Sequence, residues 1–137
     1  GKYLLYTLSN YGNFSIWHKD ADLRMLNLAT QKVDSLQKVN SDDAESYHSW
    51  SSNSRWFVFS SRRMDGLYTR PYICYFDKNG VAGKPFLLPQ KDTYYYDESL
   101  LSFNIPEFIK GKIKVDTNEL VHVSKTDPGI DIPFVSR

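Results

Sequence analysis

The sequence has a single cysteine, Cys74, so no intrachain disulfide can form and no C-x-x-C pair is available to bind a metal. Cys74 sits in the apolar run Tyr72-Ile73-Cys74-Tyr75-Phe76, where a buried, inert thiol is expected rather than a nucleophile. One cysteine fits any redox compartment. No apolar stretch approaches the ~20 residues of a membrane-spanning helix. No signal peptide is visible, although the sequence starts abruptly at Gly1 and a leader removed earlier would leave no trace. An excess of one charge is also missing: 17 Lys and Arg face 16 Asp and Glu, for a net charge of +1. That balance gives no basic footprint for nucleic acid or an acidic membrane. The basic runs Lys110, Lys112, Lys114 and Arg62, Arg63 are short and interrupted, and read as solvated surface. Glycine-rich phosphate loops, H-E-x-x-H and a G-x-S-x-G elbow are all absent, so no cofactor and no metal is expected.

Aromatic residues are plentiful: ten Tyr, eight Phe and three Trp in 137 residues, a composition that favours sheets over helical bundles. They recur in a pattern. Gly1-Lys2-Tyr3-Leu4-Leu5-Tyr6-Thr7-Leu8 falls over Ser54-Arg55-Trp56-Phe57-Val58-Phe59-Ser60-Ser61, and Leu23 to Leu28 falls over Ile73 to Lys78. The first offset is 53 residues and the second 50, reconciled by an indel of three in the hairpin between. A period of about 50 is that of a supersecondary repeat such as a propeller blade. The local grammar agrees. Trp56 to Ser60 reads as a strand, Asp65-Gly66 as a hairpin turn, Tyr72 to Phe76 as the return, Asn79-Gly80 as the next turn, and Pro85 to Leu88 as a short edge strand. Helix has little room; only Asp97 to Phe103 offers a turn or two.

Tyr47 to Arg62, with Trp50, Asn53-Ser54 and Arg62 at the motif's Trp, Asp-Gly and closing Arg, resembles the TolB-type, WD-like β-propeller repeat. Ser52 and Ser54 stand where that pattern has Pro and Gly, and Ser54 weakens the turn. Gly1 to Tyr6 is similar to the same repeat without its first strand, and Phe103 to Phe108 to the opening of a third, degenerate one. The resemblance implies an all-β fold, a partial β-propeller of four-stranded antiparallel blades. Residues 1–45 would form one blade lacking its first strand, 46–99 a second blade, 100–111 the start of a third repeat, and 112–137 a C-terminal hairpin or extended tail. It also implies a non-catalytic protein-interaction or scaffold module in the periplasm or on the surface of a Gram-negative bacterium, cut from a longer, commonly six-bladed protein. Gly1 fits both the repeat's own glycine and a residue left by cleavage. The alternatives are a fragment of a propeller-bearing polysaccharide lyase or peptidase, and a non-catalytic carbohydrate-binding propeller.

The candidate binding residues are aromatic or imidazole. Tyr11, Phe14 and Trp17 lie in the long loop between the first two strands, and Tyr94, Tyr95 and Tyr96 precede the third unit. Aromatic loops on a rigid scaffold recognise sugars or proteins, or else cover blade edges. His18 stands beside Asp20 and Asp22, but no spacing there matches zinc or calcium. His48 falls on the expected innermost strand, where a satisfied structural histidine is the ordinary reading and a ligand the sharper one. His122 alternates with Val121 and Val123 as a strand residue facing solvent, in a hairpin about Thr117-Asn118, and Lys125 to Arg137 reads as extended. Asp42, Asp43 and Glu45 read as a solvated loop. Tyr3, Leu5, Trp50, Trp56, Val58, Phe59, Ile73, Tyr75 and Phe86 are expected to form most of the core. The expected partners are a protein or envelope-associated ligand, a glycan among the candidates, with no nucleic acid and no membrane span; the open edge Lys2 to Leu8 would pair with another copy or with the tail from Ile113 to Val123.

Overall fold

The computed structural model describes residues 1–126 and Gly129. The regular secondary structure of the described chain is mostly strand, in two antiparallel sheets with little helix. The first sheet has the order β1-β2-β3, with β1 Tyr3–Leu8, β2 Asp22–Asn27 and β3 Val33–Asp34. The second has the order β4-β5-β6-β7, with β4 Glu45–Trp50, β5 Trp56–Ser61, β6 Arg70–Tyr75 and β7 Phe86–Leu87. In the second sheet sequential neighbours pair because each turn carries the chemistry for reversal. Gly66 and Gly80 take positive φ, and Ser54 is held at φ 55 where glycine would sit without strain.

The two sheets are built alike. Tyr3 opposes Asn27 and Leu5 opposes Met25; at an offset of 53 along the first strand, Trp56 opposes Tyr75 and Val58 opposes Ile73. Ile73 is therefore the counterpart of Met25, two residues from its sequence match to Leu23. A shift of two keeps every side chain on its own face. Matching hydrogen bonds recur as well. Leu28 N–H donates to the Lys2 carbonyl at 3.0 Å, and Phe76 N–H to that of Arg55 at 2.7 Å. In the following turns the Asn27 side-chain oxygen accepts from Ala29 and Thr30, and the Asp77 carboxylate from Asn79 and Val81.

We call front the face carrying Tyr3 and Leu5 in the first sheet, and Trp56 and Val58 in the second. The front of the first sheet (Leu5, Leu23, Met25) packs on the back of the second (Phe57, Phe59, Tyr72, Cys74), and Leu36 and Val39 of the connecting loop complete this core. Unlike faces meet, so the stacking has a direction. A two-fold sandwich would bring like faces together. Among the described residues no sheet covers the back of the first sheet or the front of the second.

That direction decides which aromatics are buried. Leu5, Val58 and Phe59 are buried as expected, and Tyr3 and Trp50 pack against the core from its margin. Trp56 and Ile73 are only half-buried, and Tyr75 and Phe86 are 44% and 46% exposed; all four face front on the second sheet, away from the first. Phe57, Tyr72, Cys74 and Phe76, from the other face, take their place.

The expected hairpin about Thr117-Asn118 is an α-helix, α2, Thr117–Thr126, and His122 lies on it rather than on a strand. Asp116 caps it, accepting the Asn118 N–H at 2.9 Å, with Glu119 three residues on. The side chains of Ile113 to Val123 are exposed, so this segment does not replace a strand beside β1. Lys125 and Thr126 are helical rather than extended; of the remaining expected tail, all but Gly129 lies outside the described residues. The other helix, α1, is Tyr95–Glu98, ending where a helical turn was expected to begin.

Candidate functional site

The β1–β2 loop, the β5–β6 turn and the β3–β4 and post-β7 connections all lie at one end of the sheets, where Leu8 pairs with Asp22 and Ser61 with both Glu45 and Arg70. Glu45 N–H donates to the Ala21 carbonyl at 2.8 Å, and Phe103 N–H donates to that of Thr69 at 3.0 Å. Ala21 and Thr69 immediately precede β2 and β6. The segment opening at Phe103 therefore sits on the second sheet as β4 sits on the first. Ser60 Oγ secures it by donating to the Phe103 carbonyl at 2.8 Å.

The β1–β2 loop is pinned from below. A 3-10 turn, Ser15–Trp17, buries Ile16 against Ala21, Ala44 and Tyr47. The Ser15 and Ser46 hydroxyls share a hydrogen bond of 2.5 Å, and Asn10 N–H donates to Asp20 at 2.6 Å. The pinning leaves Tyr11, Phe14 and Trp17 each about two-thirds exposed, at 67%, 66% and 65%. His18 is buried, with its ring centroid 3.9 Å from that of Tyr11. It packs beneath the loop against Tyr11.

Two arginines tie segments together at this end, Arg62 at the β1–β2 loop and Arg70 at α1. The Arg62 guanidinium lies 4.6 Å from the Trp17 ring centroid and donates to the Gly66 carbonyl. Arg70 is 1% exposed and donates to the carbonyls of Tyr96 and Ser99 at 2.9 Å and of Leu101 at 2.5 Å. It thereby holds α1 and the chain after it against the second sheet. Asp65 lies 3.7 Å away. Partial burial pushes the Asp65 carboxyl up, but hydrogen bonds from Tyr68 and Leu67, with Arg70 and Arg62 nearby, hold it below its ordinary value.

The tyrosine triplet divides. Tyr94 is 67% exposed; Tyr95 leans on Phe103; Tyr96 is buried, its hydroxyl donating to the Leu88 carbonyl at 2.9 Å. Tyr11, Phe14, Trp17 and Tyr94 are thus presented to solvent at one end, joined there by exposed Leu67, while Tyr96 is scaffold.

His48 is half-buried in a bulge of β4, where the pairing slips between Ser46 and Ser49 and Tyr47 takes φ 50. Burial lowers the His48 pKa, and the Leu5 backbone beside it partly restores it. Its Nδ1 and that of His18 are buried without a hydrogen-bond partner.

Glu45 is not solvated. It is fully buried, accepting from Ser41, Ser61 and Arg63, and Arg63 Nη2 lies 2.9 Å from its carboxylate. Nor is Arg63 a free surface charge: its guanidinium covers the Tyr72 ring at 4.6 Å and donates to the Val39 carbonyl. The arginine that closes β5 inward is therefore Arg63, one residue past the Arg62 expected from the motif. Nothing in the local sequence separates the two; only the alternation of faces does.

Burial pushes the Cys74 thiol up to about 11, far from a thiolate at neutral pH. The Ser15–Ser46 hydroxyl pair has no imidazole or carboxylate bonded to it. Among the described residues no three His, Cys, Asp or Glu side chains converge on an ion site, and no helix is long and apolar enough to cross a membrane. Comparison of the chain with protein-family models, curated proteins and solved structures finds no match.

Proposed function

We propose that this chain is about two blades of a TolB-like β-propeller, working as a non-catalytic protein-interaction or scaffold module in the periplasm or on the surface of a bacterium. The observation that carries the reading is the directional stacking: one sheet's front on the next sheet's back, with the same strand pairing and the same anchoring hydrogen bonds in each. A repeat that always uses one face forward and the other backward is what a blade array requires. In this reading the loop end is the recognition surface. Tyr11, Phe14, Trp17 and Tyr94 supply large, amphipathic contact area on loops that Arg62 and Arg70 hold in place.

Site-specific photo-crosslinking tests this. A photoreactive phenylalanine at Phe14 should capture a discrete protein adduct in envelope fractions, whereas the same group at Thr30, at the opposite end, should not. Equal labelling from both positions, or none from Phe14, would overturn the loop end as the contact surface. Binding to a glycan array lost in Trp17→Ala would instead select the carbohydrate-binding reading. Turnover of a polysaccharide or peptide lost in His48→Ala would select an enzyme.

A further inference from the structure

We infer that the loop end takes a cationic segment of a protein partner, whose arginine side chains lie over the exposed rings and whose charge is met by the carboxylates around them. The inference rests on the loop end being the recognition surface and names the chemistry of what it recognises. The rings make the surface. Tyr11, Phe14, Trp17 and Tyr94 are each about two-thirds exposed, on segments fixed by the Ile16 anchor and by Arg70, so they meet a partner already ordered. A ring face attracts a guanidinium, and the chain makes this contact with its own residues: Arg62 covers Trp17 and Arg63 covers Tyr72, each at 4.6 Å. Among the described residues neither a cation nor a second ring covers Phe14 or Tyr94. The β5–β6 turn joins the two ring-bearing segments, through Arg62 on Trp17 and through Asp65 beside Arg70, and adds exposed Leu67. An extended segment therefore suits the surface better than a single side chain.

The sign of the partner follows from how charge is divided between the two ends. The net charge of +1 hides a separation that only the fold creates. At the loop end Asp42, Asp97 and Glu98 are exposed, and among the described residues none of their carboxylates has an ion pair. Those of Asp20, Asp43 and Asp92 accept only backbone N–H groups. Lys19 and Lys91 are exposed beside them, but the arginines are engaged: Arg62 with Trp17 and Gly66, Arg63 with Glu45, and Arg70 with its three carbonyls. At the opposite end Lys2, Arg55 and Lys78 line one cleft and Lys32 another, while the Asp77 carboxylate is held in its own turn by the N–H groups of Asn79 and Val81. The loop end is thus acidic and the other end basic. Such a field repels an acidic segment and draws a basic one, and salt weakens the draw. Arginine fits better than lysine, because a planar guanidinium stacks on a ring while its N–H groups reach carboxylates.

The test uses dye-labelled peptides of repeated Arg-Gly-Ser, with lysine and glutamate counterparts, followed by fluorescence anisotropy. The arginine peptide should bind at low salt and lose roughly tenfold in affinity as salt approaches about 0.5 M. The lysine peptide should bind about threefold more weakly, and the glutamate peptide not at all. The double variant Phe14→Ala, Tyr94→Ala, shown to be folded by circular dichroism, should weaken the arginine peptide about tenfold. Asp97→Asn with Glu98→Gln should reduce the salt dependence, and Lys78→Gln at the opposite end should leave binding unchanged. Glutamate binding equal to arginine binding, or arginine binding untouched by the ring variants, would overturn the proposal. A photoreactive residue at Phe14 separates its failure from that of the wider reading. The arginine peptide should compete away the envelope adduct. An adduct that it leaves intact overturns the cationic segment while the loop end stands as the contact surface, and no adduct removes both. Capture of the chain's own residues would make them the occupant and overturn the proposal as well.

Discussion

The Tyr3 ring of the first sheet lies directly over Gly80 in the β6–β7 turn of the second, so that a Cβ at Gly80 would stand 2.7 Å from Tyr3 Cζ. Tyr3 has little freedom to retreat, because its ring also meets Phe76 edge-on at 5.0 Å. Gly80 is thus a turn glycine at φ 86 and an inter-sheet contact at once. Gly80→Ala should destabilise the chain by about 2–3 kcal/mol, combining left-handed strain with overpacking. Denaturant unfolding checks this. In a Tyr3→Leu background the cost should fall to the backbone part alone; an equal cost in both backgrounds would mean that Tyr3 and Gly80 are not coupled.

Glu45 and Arg63 make the second prediction. Removing the guanidinium leaves a fully buried carboxylate with its hydroxyl donors but no countercharge. Arg63→Ala should cost roughly 3–5 kcal/mol, and the double variant Arg63→Met, Glu45→Gln should recover part of that loss. Additive costs in the double variant would show that the pair does not act as one.

Which aromatic of β5 carries the core is directly measurable. Phe57→Ala should cost about 3–5 kcal/mol, as expected for a buried large aromatic, and Trp56→Ala clearly less despite its larger side chain. The difference follows from the face each residue occupies: Phe57 is inaccessible and Trp56 half-buried. A larger loss at Trp56 would place the main packing on the front of the sheet.

His48 sets a pH dependence. Its folded pKa lies below the ordinary 6.5 because burial disfavours the imidazolium. The unfolded chain therefore takes up a proton first as pH falls, and the stability that neutral His48 preserves above 6.5 is lost progressively below it. Melting temperature should drop between neutral pH and the onset of carboxylate titration, and His48→Gln should flatten that segment of the curve. An identical slope in the variant would assign it elsewhere.

Over residues 1–88 the local structure was legible in the sequence: where strands run, where they turn, and that two stretches repeat. Those features follow from short-range chemistry, such as the aromatic and β-branched residues of Trp56 to Ser61 and the Asp65-Gly66 and Asn79-Gly80 turns. The capping pattern of Asp116 and Glu119 was equally local and signalled α2, although the alternation of Val121, His122 and Val123 suggests a strand. Of the candidate site, exposed Tyr11, Phe14 and Trp17 were readable as a long aromatic loop. Tertiary structure decided everything that depends on which face meets which. It buried Phe57 instead of Tyr75, turned Arg63 inward onto Glu45 and Arg62 outward onto Trp17, and hid Tyr96 while exposing Tyr94. Neighbouring residues on a strand are chemically alike but point to opposite sides, and burial belongs to whichever side the next sheet covers. That covering is a long-range contact, so it is set by the stacking of the sheets and by no residue's own neighbourhood in the chain.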